Sequence, residues 1–402
     1  MAYTETTTTG YGDRLTGALK GMLFGFIMFI IGTILLFWNE GNFVKTKKAI
    51  EEAESNVVKV EDVSNVDPGL NGKLIHASAF ADTQDVLTDK MFGVSERAIA
   101  ISRSVSYYQY EEKAKSESKD KMGGGKETTT TYTYEKKWTS QPVKSADFRD
   151  PDYKASNFVL TEVKAMSERA RNVSFGGYKL PGFIISSIGG DIPAEVKLSP
   201  GELRQFETTI AQRRRELGLG ADSSKMVHVN DNVVYFGKSP SSPDIGDVRV
   251  TLSKVLPADI SIIAKVFGST FEKYIASNKK EFWHISMGTV SAETMFADAH
   301  SSNSILTWIL RAVGIFLVIG GLKLMFGLLP ALLKVVPMLG SIAGMAVGLV
   351  CGIVGIVWSL VIIAIAWLFY RPLIGIALLA AAAGGIWFLK NRAKNKSEAK
   401  AA

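Results

Sequence analysis

Apolar residues in this chain gather into long uninterrupted blocks near the N-terminus and over the last hundred or so positions, while the middle alternates polar and apolar at short period. The first block runs from Gly21 to Trp38 (GMLFGFIMFIIGTILLFW), the second from Ile305 to Leu329, the third from Leu339 to Phe369 and the fourth from Leu373 to Leu389. A helix rises about 1.5 Å per residue and a bilayer's hydrocarbon core is about 30 Å thick, so about twenty apolar residues make one crossing. The blocks therefore predict four transmembrane helices, 21–38, 305–329, 339–369 and 373–389. The third is longer than a perpendicular crossing needs, which predicts tilt. A linker at 330–338 carries Pro330 and Pro337, and Pro372 after Tyr370 and Arg371 breaks the last two spans into a hairpin. The first block reads as a retained anchor rather than a cleaved leader, because no small-residue cleavage pattern follows it.

Between the first and second spans, residues 39–304 read as a β-rich α+β domain in water. Lys73–Phe80, Arg97–Glu111, Thr128–Thr139, Met226–Lys238, Asp247–Val255 and Asp259–Phe267 place β-branched and aromatic residues at period two, the pattern of strands. Asn230, Asp231 and Asn232 tolerate left-handed backbone and mark a hairpin turn. The stretch near 112–131 is charged and Gly-rich with almost no apolar residue, which predicts a mobile tip between two long strands. Those strands carry Tyr107, Tyr108, Tyr110, Tyr132, Tyr134 and Trp138, either a partner-binding face or cross-strand packing. Ser199, Pro200 and Glu202 have the spacing of a capping box opening a helix that ends at Gly218, and a second helix begins after Ser291 and leads into the second span.

Topology follows from parity and from Lys/Arg bias. Four crossings put both ends on one side, and the basic tail (Lys390, Arg392, Lys394, Lys396, Lys400) with Arg14, Lys20 and Lys334 places that side in the cytoplasm. Lys45, Lys47 and Lys48 argue the other way, but long loops translocate largely regardless of charge. Residues 1–20 and the tail 390–402 are then cytoplasmic, and the domain is periplasmic or lumenal. Two charges fall inside the second span, Arg311 and Lys323, near enough to its ends to snorkel to the headgroups. Small residues every fourth position let helix backbones approach closely in lipid, and two such ladders occur: Gly17, Gly21 and Gly25, then Gly340, Gly344, Gly348 and Gly352.

Charge and chemistry narrow the function. The formal net charge of +7 comes with no aromatic-interleaved basic groove, so nucleic acid is not the partner. The single cysteine, Cys351, lies in an apolar run and makes no internal disulfide. His76, His228, His284 and His300 have no metal-ligand spacing, and no HExxH, CxxC, GxSxG, phosphate-binding loop or paired-carboxylate pattern is found, so no catalytic residue, metal or cofactor is assigned.

Several strings resemble the transmembrane protein 43 family, also called LUMA: GKLIHASAF (72–80), LTDKMFGVS (87–95), RSVSYYQYEE (103–112), YTYEKKW (132–138), GDVRVTLSKVLPADISIIAKVFG (246–268), SAETMFADAHSSNSILTWILRAVG (291–314) and AWLFYRPLIG (366–375). The likeness covers nearly the whole chain from about Asn39. Animal members tend to read MYQW where this chain has YYQY, and the compact Gly-rich spans and short tail point to a bacterial member. The resemblance implies four spans, cytoplasmic termini and a large lumenal or periplasmic domain, in an organiser of membrane complexes that self-associates.

The expected function is a non-enzymatic scaffold that self-associates through its glycine faces and gathers lipids or other membrane proteins. It would sit in a bacterial inner membrane, or in the endoplasmic reticulum or inner nuclear membrane of a eukaryote. An ion-conducting or transport role using Arg311 and Lys323 is the alternative, and an envelope- or lipid-modifying enzyme is a third reading.

Overall fold

The computed structural model describes residues 3–220 and 224–372. Its labelled helices are α1 (Tyr11–Asn56), α2 (Pro200–Glu216), α3 (Ala292–Met325), α4 (Leu328–Leu333) and α5 (Pro337–Tyr370). Three helical stretches among the described residues, α1, α3 with α4, and α5, are long and apolar enough to cross a membrane. The expected fourth span, 373–389, and the basic tail, 390–402, lie outside the described residues.

Both α1 and α3 outrun the apolar blocks that predicted them. α1 continues eighteen residues beyond Trp38 because its last turns have a second partner: Ile50 and Ala53 pack with Ala292, Met295 and Phe296 of α3 and with Leu74, Ile263 and Phe282 of the β domain. Within the apolar zone, α1 and α3 approach at small residues. A Cβ added to Gly25 would lie 2.7 Å from the Gly321 carbonyl, one on Gly32 would lie 2.9 Å from Leu317 Cβ, and one on Gly314 would meet the Leu36 side chain at 2.6 Å. α5 joins through Gly355, whose Cβ would fall 2.6 Å from Ile319. Leu36, Val318, Leu322 and Cys351 are buried where the three helices meet.

The expected ladders are therefore only partly used inside the chain. Among the described residues, Gly25 packs against α3 and Gly340 is filled by Lys334, whereas Gly17, Gly21, Gly348 and Gly352 have open space where a Cβ would be, and Gly344 has only Pro330 at 3.9 Å. Every-fourth spacing identifies a smooth face but not what covers it, so Gly32, Gly314, Gly321 and Gly355 do the packing instead.

In the domain, the main strands are β1 (Tyr3–Thr9), β2 (Leu74–Thr83), β3 (Ala100–Asp120), β4 (Lys126–Thr139), β5 (Val227–Asn230), β6 (Val233–Phe236), β7 (Val248–Val255) and β8 (Ala258–Phe267). One sheet has the order β1-β4-β3-β7-β6-β5. The other is centred on the antiparallel pair β2 and β8, with Ile262 opposite Ala77. β8 reads as a nearly continuous apolar run because both its faces are covered: Ile260, Ile262, Ala264 and Val266 enter the core of the domain, while Ile263 turns to α1 and α3. The turn between β5 and β6 places Asp231 at φ +51, the left-handed conformation its sequence predicted. Ser199 caps α2 with Glu202 reaching back to its N–H.

One expectation is corrected. The segment near 112–131 is strand on both sides of a short turn rather than a mobile tip: β3 and β4 pair without a break from Tyr107–Thr139 to Asp120–Lys126. Its charges are matched across the ladder, Lys113 with Glu135 and Glu111 with Lys137, and Ser116 bonds Thr130 at 2.8 Å. Such cross-strand pairs, with Thr-rich β propensity, replace the missing apolar face. At the N-terminus, β1 adds to the edge of β4 with Thr9 opposite Lys126, and α1 starts at Tyr11.

The turn of this hairpin closes on the ends of the helices. Asp120 sits 2.8 Å from Arg14 and 3.1 Å from Lys334, Arg14 also donates to the carbonyls of Gly124 and Gly125, and the Gly123 N–H donates to Val335. Gly124, at φ +84, lies against the Tyr11 ring, where a Cβ would clash at 2.3 Å.

Acid should loosen the aqueous domain in a defined way. Asp85 accepts from the backbone N–H groups of Asn172 and Arg171 at 2.8 and 2.7 Å, and bonds to Asn172 hold its carboxyl below the ordinary range. Glu202 is held low by the Ser199 backbone N–H and hydroxyl. Both pKa values are depressed on folding, so their stabilisation is fully present above the ordinary carboxylate pKa and is lost as pH falls below about 4 through the folded values. Thermal melts between pH 6 and 2.5 should show a declining midpoint whose slope is reduced in Asp85→Asn; an unchanged slope would contradict this account.

Candidate functional site

The most constrained polar cluster lies where the helices leave the apolar zone and meet the domain. Glu40 of α1 is completely buried, and Arg311 of α3 meets it in a two-pronged pair, Nε to Oε1 at 2.6 Å and Nη2 to Oε2 at 2.8 Å. Trp367 of α5 donates its indole N–H to Oε2 at 2.8 Å, so one carboxylate ties all three long helices. The guanidinium is also stacked 4.7 Å from the Trp308 ring centroid and 5.9 Å from that of Trp367.

Neighbouring polar groups continue the fastening. Asn39 donates to the Thr307 carbonyl at 3.1 Å, and Asn303 donates to the Phe43 carbonyl at 3.2 Å. Arg371 caps the cluster with its guanidinium 4.6 Å from the Phe43 ring and 5.7 Å from Trp367. Gly41 is required beside it, because a Cβ there would lie 2.5 Å from the Tyr370 ring.

Arg311 is thus engaged by a carboxylate rather than snorkelling. Lys323, the other intramembrane charge singled out from sequence, is exposed on the last turn of α3. The sequence reading gave Glu40 no role. The available signal was depth: a cation buried a turn inside one span needs an anion at matching height, and Glu40 stands at the same end of the neighbouring span. With three donors on its two oxygens, Glu40 holds the geometry of the three helices.

The aromatic residues of the hairpin are mostly satisfied within the chain. Tyr107 is buried and donates to the Val163 carbonyl at 2.8 Å. Tyr108 packs on Trp138 at 5.2 Å between centroids, Tyr110 meets Tyr153 edge-on at 5.0 Å, and Tyr134 stacks on Tyr153 at 4.0 Å. Tyr132 lies beside Tyr3 of β1. Arg249 stacks 4.5 Å from Trp138, which with His228, Tyr235 and Pro240 walls a cleft of about 310 Å³.

Three of the histidines have partners of their own. His76 bonds the Val290 carbonyl at 2.9 Å, His228 bonds the Lys238 carbonyl at 3.1 Å, and His300 faces Glu54 at 3.7 Å. His284 lies in one row with His76 on the far side of Ile263, and burial lowers its pKa. Among the described residues no group of three or more His, Cys, Asp or Glu is placed to hold a metal ion.

Removing one partner of a buried ion pair strands the other, at a cost of about 3–5 kcal/mol. Glu40→Ala should therefore lower the unfolding free energy by about that amount, whereas Lys323→Ala, at an exposed position, should change it by less than about 0.5 kcal/mol. Denaturant titration of the two variants in mild detergent measures both; equal effects would contradict the assigned burial.

Comparison with known proteins gives a consistent match. The family model described as Transmembrane protein 43 matches residues 107–372. Transmembrane protein 43 of Rattus norvegicus is 28% identical over 367 residues, 90% of this chain and 88% of that one. The Homo sapiens protein is 27% identical over the same shares, and the Drosophila melanogaster homolog 28% identical over 92% of this chain and 94% of its own. No solved structure matches.

Proposed function

The chain belongs to the transmembrane protein 43 family, and from that premise we propose that it is a non-enzymatic membrane scaffold, self-associating through its helices and gathering lipids or other membrane proteins with its aqueous domain. That it is a membrane-embedded protein with several apolar helices follows from the family and the helices themselves. The observation that carries the scaffold reading is the open glycine face of α5. Among the described residues, Gly348 and Gly352 have nothing within 4 Å of a notional Cβ, although the same helix is packed at Gly355. Such a surface is smooth and unfilled, as a contact between helices of two copies requires. A periplasmic or lumenal position for the domain, and a bacterial inner membrane, belong to the same reading.

The alternative, ion conduction by charges in the second span, draws less support. Arg311 is neutralised by Glu40, which leaves Lys323 alone. An enzyme acting on lipid or envelope material has its best support in the cleft beside Trp138, whose lining Arg249 and His228 form no acid–base pair.

The test separates packing inside the chain from packing between chains. Gly348→Leu and Gly352→Leu should leave the monomer's melting temperature unchanged and reduce chemically crosslinked dimer in native membranes several-fold, while Gly25→Leu should destabilise the monomer itself. Crosslinked dimer that persists undiminished in the double Gly348→Leu, Gly352→Leu variant would refute the proposed contact.

A further inference from the structure

The β3–β4 hairpin is polar along its length, yet its turn meets the ends of the apolar helices. Its turn is fastened to Arg14 and Lys334, which lie beyond one end of the apolar blocks, while its base belongs to the domain that sits on α1 beyond the other end, at Ile50 and Ala53. The lengths agree. From Tyr107 to Asp120 a strand extends about 43 Å, and α1 from Arg14 to Phe43 extends about 44 Å. If the apolar blocks occupy hydrocarbon, strand residues from about 109 to about 117 occupy the same depth.

Those residues do not suit acyl chains. Lys113, Lys115, Ser116 and Glu117 are exposed. The edge of β3 beyond Tyr107 is left by β7, which pairs only from Ala100 to Tyr107, so among the described residues no strand lies beside its outward N–H and C=O groups. At Tyr110 the side chain of Asn157 fills that role, donating to its carbonyl at 2.9 Å and accepting from its N–H at 2.8 Å. Non-helical backbone at membrane depth is tolerated only where it is buried in protein or lines water, because each unsatisfied group in hydrocarbon costs several kcal/mol.

We propose that the three-stranded polar sheet β1-β4-β3 lines a water-filled passage through the membrane, shielded from lipid by the helices of its own and neighbouring copies, and admitting small hydrophilic ions. The inference goes beyond the scaffold reading and stands on the hairpin's position, not on the glycine contact. β1 and the hairpin turn then reach the face of the membrane opposite the bulk of the domain, with the Asp120 clasp holding the sheet along the bundle.

Single cysteines in a Cys351→Ala background test this in sealed, oriented membrane vesicles, using a small charged thiosulfonate on one side at a time. Lys164→Cys in the domain should react from one side only, and Asp13→Cys and Met122→Cys from the other side only. Lys115→Cys and Ser116→Cys should react from both sides, at least tenfold faster than Ile34→Cys on the exposed apolar face of α1. Reaction of Met122→Cys from the Lys164 side would overturn the proposal, since the hairpin would then hang in the domain's own water. Lys115→Cys and Ser116→Cys reacting only after detergent extraction would overturn it equally, by showing a dry interior. If Asp13→Cys and Lys164→Cys react from one side, α1 does not cross and the passage falls, while the dimer crosslink through α5 is unaffected.

Discussion

Inside a bilayer no water is present to satisfy a polar group, so each charge and each peptide group at that depth must find its partner within protein. This constraint sets the form of the apolar half of the molecule. Helices satisfy their own backbones, glycines let α1 and α3 approach until one backbone touches the other, and the one deeply placed cation is met by a buried carboxylate. Glu40 serves α1, α3 and α5 together because Arg311 and Trp367 both end on it. The buried pair adds register more than net stability, since desolvation offsets much of its attraction.

The same helices carry the constraint into water. α1 and α3 continue out of the apolar zone as a two-helix stalk whose apolar faces are shared with β8, so the domain is built onto the helices rather than tethered to them. Polar contacts repeat the coupling at the rim: Asn278 donates to the Lys45 carbonyl at 2.7 Å, and Glu52 accepts from Tyr274 at 2.8 Å and from the Ser277 N–H at 2.9 Å. A shift of α1 against α3 would be felt directly in the central strand of the second sheet. That is a useful property in a protein whose relatives are membrane-embedded.

Much of this was legible in the sequence, and the exceptions have physical causes. Apolar block length located three helices, period-two alternation located β2, β3, β4, β7 and β8, and the Ser199–Glu202 spacing fixed the start of α2, because each signal is local. The length of α1 was not, since its extension to Asn56 depends on Ile50 and Ala53 meeting strands far away in sequence. Composition misjudged residues 112–131 because disorder arguments count apolar area, whereas this hairpin is held by matched charges and hydroxyls across the ladder and by β1 at its edge. Glycine spacing pointed to smooth faces on α1 and α5, but of those glycines Gly25 is the one where α1 and α3 backbones touch, and the other glycines of that contact, Gly32, Gly314 and Gly321, lack that regular repeat. In the candidate site Arg311 was recognisable as costly; its partner was visible only as a flanking acid until the two helix ends were placed side by side.

The central claim is that one buried pair, Glu40 with Arg311, fastens the helical bundle where it meets the domain. Exchanging the charges tests it most directly: the thermal midpoints in detergent of Glu40→Arg, of Arg311→Glu and of the chain bearing both are compared with the unaltered protein. Each single reversal places like charges together and should lower the midpoint strongly, and the combined exchange should recover more than half of that loss. A doubly exchanged chain no more stable than the sum of the two single changes allows would show that the groups do not interact, and the account would fail.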